Sequence, residues 1–138
     1  MIVGIGVDLV NVAKFGATVT RTPGFADSLF TARERKDELG GDRSVASLAG
    51  RYAAKEATAK ALGVPPGAGW HDCEVLVEPD GRPYLAMSGL LAEAAGELGV
   101  TTLHLSLAVE GDVAIAYVVA EGSVTLDGAV PRRMATSR

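Results

Sequence analysis

Residues 2–10 alternate strictly, with Val3, Ile5, Val7 and Leu9 on one face and Gly4, Gly6, Asp8 and Val10 on the other. A period of two predicts a strand with one apolar face. Its other face is bare backbone at the glycines, open to close approach by another element or a ligand, and carries Asp8 at the strand's end. Residues 11–20 read as a helix, Thr22-Pro23-Gly24 as a turn and residues 25–30 as a short helix. Thr31 is placed to cap a further helix over 32–38, with Glu34 completing a capping box and Gly40-Gly41 ending it. The longest periodic run is SVASLAGRYAAKEATAKAL at 44–62, closed by Gly63 and the loop Pro65-Pro66-Gly67. At about 100° per residue, Val45, Leu48, Ala49 and Tyr52 share a broad stripe, and Glu56 falls beside them. Lys60 follows one turn on, while Arg51 and Lys55 point to the other side.

The second half predicts a strand over 73–78, a turn at Pro79-Asp80-Gly81 and a returning strand over 83–87. Ser88 is placed to cap a helix running to Leu98, closed by Gly99. Strands over 101–110 and 113–121 follow, joined at Gly111-Asp112. The first of these puts Leu103, Leu105, Leu107 and Val109 on one face and His104, Ser106, Ala108 and Glu110 on the other. The fold class expected is a single α+β domain over 1–121, an antiparallel-rich sheet packed with a long Ala-rich helix. Residues 122–138 are expected to form a flexible C-terminal tail.

Composition narrows the function classes. A length of 138 residues suits one domain with its own core. The single cysteine, Cys73, excludes an internal disulfide and fits a reducing cytoplasm. The first ten residues lack the charged start and cleavage site of a signal peptide, and no apolar run is long enough to cross a membrane. A cytoplasmic protein without a membrane partner is expected. The net charge of −4 argues against nucleic acid as a partner. Nine basic residues nevertheless gather between positions 14 and 60, a balance that suits a phosphorylated ligand or an acidic protein.

No dinucleotide fingerprint, P-loop, zincin or paired-cysteine motif occurs, and two histidines with one cysteine cannot close a zinc site. His104 and Ser106 share a strand face with no acid partner implied, so they read as orienting or ligand-binding groups. Two carboxylates in unusual settings remain, Asp8 and Glu56. An oxygen-only pair suits Mg²⁺, which keeps several waters and takes one or two carboxylates plus phosphate oxygens. The competing readings are a turn or cap carboxylate for Asp8, a solvated ion pair of Glu56 with Lys60, and a satisfied sheet histidine for His104.

Six segments carry a family resemblance: GIGVDLV at 4–10, LFTARE at 29–34, LAGRYAAKEATAKALG at 48–63, DCEV at 72–75, GRPYL at 81–85 and HLSL at 104–107. In this order the chain resembles the holo-[acyl-carrier-protein] synthases, the small trimeric class of 4′-phosphopantetheinyl transferases. The resemblance implies the 4′-phosphopantetheinyl transferase fold, a homotrimer with sites between subunits, and an enzyme. Its reaction would move the phosphopantetheine arm of coenzyme A to a serine of apo-acyl carrier protein, in fatty acid or polyketide synthesis, releasing adenosine 3′,5′-bisphosphate. Asp8 and Glu56 match the family's Mg²⁺ ligands. By the same resemblance, Glu56 is the candidate base and Lys60 the group at the departing phosphate. Arg51, Lys60, His104 and the turn Gly81-Arg82-Pro83 match coenzyme A contacts, and Lys14 and Arg21 match the surface for the acidic carrier protein. One departure stands out: Val109 replaces the family's second histidine. The alternative is therefore a weakly active or non-catalytic module that binds the carrier or coenzyme A.

Overall fold

A computed structural model describes residues 1–123. In chain order it forms β1 (Ile2–Asn11), α1 (Val12–Arg21), α2 (Phe25–Leu29), α3 (Val45–Leu62), β2 (Cys73–Val77), β3 (Pro83–Met87), α4 (Gly89–Glu97), β4 (Val100–Glu110) and β5 (Val113–Gly122). All strand pairings are antiparallel. One sheet has the order β1-β5-β4, and β2 with β3 makes a separate hairpin. This is an α+β fold; Gly122, the first residue of the tail expected over 122–138, closes β5, and residues 124–138 lie outside the described residues.

Small residues set how near α3 lies to the three-stranded sheet. A Cβ on Gly4 would fall 1.9 Å from the carbonyl oxygen of Ala61, and one on Gly6 would fall 1.8 Å from that of Ala57. Both distances are far inside van der Waals contact, so only glycine lets the helix backbone lie there. Ala114, Ala116, Val118 and Ala120 of β5 and Ala53, Ala54 and Ala57 of α3 are fully buried, continuing the same close approach. The glycine face of β1 thus meets the helix, and Asp8 on that face is carried to it.

Several sequence expectations are corrected. The first strand does not stop at Asp8, which pairs with Ala116 inside the sheet. The turn into α1 is made instead by Asn11, whose Oδ1 accepts from the Lys14 amide at 2.9 Å, and by Asp112, which accepts from the Ala13 amide at 3.0 Å. No helix forms over 32–38, although the two capping bonds between Thr31 and Glu34 are made. The Glu34 carboxylate is drawn into the core, where it also accepts from Lys55 and from the Val75 amide, and the Glu34 carbonyl accepts from Arg43 Nε. With that carbonyl occupied, the segment continues as turns. Helix α3 has no single apolar stripe: Arg51 and Lys55 are buried along with Glu56. A helix covered by a sheet on one side and by loop, helix and hairpin on the other is buried nearly all round. Ser88 stands at the N-cap of α4, but its side chain makes no cap bond.

Arg33 tethers the 31–34 segment to β2. Its guanidinium donates to both oxygens of Glu74, each at 2.7 Å, and Thr31 Oγ1 adds a third bond at 2.7 Å. The Arg33 bonds lower the Glu74 pKa to about 2, against the opposing pull of burial. A carboxyl held below its ordinary value contributes stability in full above about 4.5, and that contribution is lost as pH falls through about 2. Arg33→Met is therefore expected to destabilise the fold only modestly at pH 7, because the arginine is largely exposed, with the difference shrinking by pH 3. Urea unfolding at both pH values measures it. Cys73 is 4% exposed, and burial pushes its thiol up to about 11, so it stays protonated at neutral pH.

Candidate active site

Asp8 comes from the middle of β1 and Glu56 from the middle of α3, and the glycine contact brings the two elements together. Both carboxylates are more than nine-tenths buried, and both line one cavity of about 390 Å³. Lys14, Phe25 and Tyr52 form other parts of its wall. Lys60 Nζ donates to Asp8 Oδ1 at 2.9 Å and to the Val7 carbonyl at 3.0 Å. Glu56 is therefore no solvated-edge carboxylate, and the ammonium one turn beyond it reaches across to Asp8.

The aromatic wall is built from adjacent elements. Phe15 of α1 stacks on Tyr52 at 5.3 Å between ring centroids, and Trp70 meets Tyr52 at 5.7 Å in a tilted contact. Tyr52 precedes Glu56 by one helical turn, the spacing that puts two side chains on the same face. That spacing was visible in the sequence stripe, yet it singled out only the carboxylate.

The remaining candidates are distributed. Arg51 is 7% exposed, and its Nη1 donates to Ser47 Oγ at 2.9 Å, while its Nε is buried without a hydrogen bond. Burial, followed by the neighbouring charge of Arg43, lowers its pKa to about 10. A guanidinium so placed is electrostatically under-compensated, and an anion beside it would relieve that. Arg43 escaped the sequence reading because only the tertiary fold brings it near. His104 lies on the opposite face of the sheet from α3, exposed, with its Nε2 3.4 Å from a Glu121 oxygen. Gly81, Arg82 and Pro83 belong to the tip of the β2–β3 hairpin, where Arg82 bonds Asp80 and borders a hollow of about 420 Å³. Lys14 is on the exposed side of α1 and Arg21 is its last residue. One chain thus gathers Asp8, Glu56 and Lys14 at a cavity, with Lys60 bonded to Asp8, but keeps His104 on the far side of the sheet.

The basic half of the chain is largely neutralised within the fold. Arg33, Arg35, Lys36, Arg43, Lys55 and Lys60 pair with Glu74, Asp27, Asp42, Glu38, Glu34 and Asp8. Lys14, Arg21 and Arg51 take part in none of these pairs.

Two buried carboxylates thus meet at a cavity walled by aromatic and basic groups. The family model described as the 4′-phosphopantetheinyl transferase superfamily matches residues 4–118, and the chain belongs to that family. Within it, the relatives that the chain resembles are holo-[acyl-carrier-protein] synthases. It is 54% identical over 121 residues to the holo-[acyl-carrier-protein] synthase of Salinispora arenicola, covering 88% of this chain and 99% of the relative. The crystal structure of the Neisseria meningitidis synthase superposes with a TM-score of 0.77 at 31% identity, covering 88% of this chain and 99% of that one. A Chronobacterium ammoniagenes synthase in complex with coenzyme A superposes with a TM-score of 0.74 at 30% identity, covering 88% and 98%. The chain is accordingly an enzyme, a 4′-phosphopantetheinyl transferase, and the non-catalytic alternative raised by Val109 is not favoured.

Proposed function

We propose that this enzyme transfers the 4′-phosphopantetheine arm of coenzyme A to a serine of an apo-acyl carrier protein, Mg²⁺-dependently, in the cytoplasm. The observation that carries the reading is the meeting of Asp8 and Glu56, from β1 and α3, at one cavity with Lys60 against Asp8. The donor set fits Mg²⁺ in that both groups are carboxylates, which offer the hard oxygen ligands this ion takes. Water and phosphate oxygens would complete such a site. Asp8 and Glu56 would hold the ion, which when bound neutralises charge on the pyrophosphate of coenzyme A.

In the reaction the serine oxygen bonds to the phosphorus that carries the pantetheine arm, and the bond from that phosphorus to the bridging oxygen breaks. Adenosine 3′,5′-bisphosphate leaves with the electron pair. Glu56 takes the serine proton, and Lys60, moving from Asp8, supplies positive charge or a proton to the departing phosphate. Arg51, buried beside Arg43, offers charge to a phosphate of the nucleotide, with His104 and the Gly81-Arg82-Pro83 turn as further coenzyme A contacts. Lys14 borders the cavity and Arg21 ends the same helix, which suits an acidic carrier surface met through local potential.

A homotrimer is part of the proposal. The sheet face away from α3 leaves Ile5, Leu9 and Tyr117 about half or more exposed, an apolar surface suited to a second copy. His104 lies on that same face, so a site using both His104 and the Asp8–Glu56 cavity needs a neighbouring chain. Tyr117→Asp is expected to lower the mass measured by light scattering from trimer to monomer and to reduce transfer at least tenfold. The reaction itself is tested by incubating the chain with coenzyme A, Mg²⁺ and an apo-acyl carrier protein. The carrier should gain the mass of the phosphopantetheine arm, and chelation of the metal should stop the gain. Absence of any gain across several carriers would overturn the reading.

A further inference from the structure

Lys55 immediately precedes Glu56, and its side chain is 1% exposed while that of its partner Glu34 is fully buried. The three protons of the ammonium have three acceptors: Glu34 Oε1 at 2.8 Å, the Trp70 carbonyl at 3.0 Å and the Cys73 carbonyl. Glu34 in turn accepts from the Thr31 amide at 3.0 Å and the Val75 amide at 2.9 Å. One ion pair thereby joins α3, the 31–34 segment, the turn at 70–72 and β2. An ion pair so fully desolvated is weak evidence for stability, since apolar residues of similar shape often serve as well.

Its position suggests another use. Successive helical residues project about 100° apart, so Lys55 grips the wall opposite the sheet while Glu56 faces the cavity. Between Ala53 and Ala61 the helix lies on the sheet largely through alanine and glycine, which offer few projections to resist rotation about the helix axis, while Lys60, bonded to Val7 and Asp8, ties down its C-terminal end. A side-chain tip lies about 5–6 Å from that axis, so a rotation of about 10° moves Glu56 by roughly 1 Å. A displacement of that size can cost about 10²-fold in rate. The same ammonium holds the Trp70 carbonyl, and the Trp70 ring supports Tyr52 in the cavity wall.

We propose that the Lys55–Glu34 pair is a positioning device that fixes the rotation of α3 and so aims Glu56 at the reacting groups. The proposal rests on the cavity being the transfer site. Its test compares wild type with Lys55→Met and with the double variant Glu34→Leu/Lys55→Met, which leaves no single charge buried. For each, far-UV circular dichroism and thermal melting report folding, the coenzyme A-induced rise in melting temperature reports binding, and carrier mass gives kcat and KM.

The expected result is a folded double variant whose KM for coenzyme A stays within threefold while kcat falls at least thirtyfold. Lys55→Met should show the same split if folded, and its failure to fold leaves the double variant to decide. A kcat per folded molecule within threefold of wild type overturns the positioning role, as does a double variant that cannot fold, since the pair is then a requirement of the fold. Wild type that binds coenzyme A yet transfers nothing identifies the transfer reading as the failure, and the positioning role falls with it.

Discussion

Asp8→Ala and Glu56→Ala are each expected to lower the rate of arm transfer at least about 10³-fold while leaving a folded protein. The size follows from what the two groups do together. Each is buried at the same cavity, and each removes a negative oxygen that a divalent cation and the reacting serine would share. The variants should differ in detail. Loss of Asp8 strips Lys60 of its 2.9 Å partner and leaves that ammonium its bond to the Val7 carbonyl, whereas loss of Glu56 removes the proton acceptor directly. Asp8→Asn keeps the shape but not the charge, so it should share most of the rate loss. Initial rates from carrier mass, run beside thermal melts and a Mg²⁺ titration, check all three. Full activity in both alanine variants would sink the metal assignment, whatever the fate of the fold.

Gly6→Ala is the substitution expected to damage folding most. The new Cβ would stand 1.8 Å from the Ala57 carbonyl oxygen, 2.8 Å from its carbon and 3.0 Å from the Ala61 nitrogen. All three neighbours are helix backbone, so no flexible side chain can yield, and α3 must lift from the sheet. Overpacking against so rigid a surface costs about 3 kcal/mol or more. Gly4→Ala, 1.9 Å from the Ala61 oxygen, should behave alike. The control is Gly96→Ala in α4, where a Cβ meets nothing within 4 Å; it should stabilise by about 0.5–1 kcal/mol through helix propensity alone. Chemical denaturation compares the three. The same lifting would separate Asp8 from Glu56, so any folded Gly6→Ala should also transfer slowly, and a wild-type stability would refute the close contact.

The cofactor-binding candidates carry a different expectation, because Arg51 is held at a cost. Its charge sits desolvated beside Arg43, which is why its pKa falls to about 10. A basic group lowered in the folded state opposes folding while charged, and the opposition fades as pH rises through about 10. Arg51→Met should therefore melt no lower than wild type at pH 7 while losing at least tenfold in affinity for coenzyme A by calorimetry. Unchanged affinity would remove Arg51 from the nucleotide site.

Much of this was legible before folding. The alternation at residues 2–10 marked a strand with a bare glycine face, and the alanines of 44–62 marked a helix able to lie close beside it. Both readings depend on local period and side-chain volume, which a single sequence displays directly. The oddity of a carboxylate on each element followed from the same patterns. Glu34 shows where such reading stops. Its capping box is real, but the expected helix is absent because Lys55, the Val75 amide and Arg43 compete for the same groups from 9 to 41 residues away.

The sequence by itself determined the order and type of most elements, the glycine contact and the two carboxylates, since each is encoded in neighbours a few positions apart. Tertiary structure alone decided that Asp8 and Glu56 share one cavity, that Lys60 turns to Asp8, and that Lys55 is buried on Glu34. It also put His104 on the far side of the sheet and set Arg43 beside Arg51. These are contacts between residues distant in the chain, and their partners are chosen by how the helix crosses the sheet, a rotation and a distance that no local pattern contains.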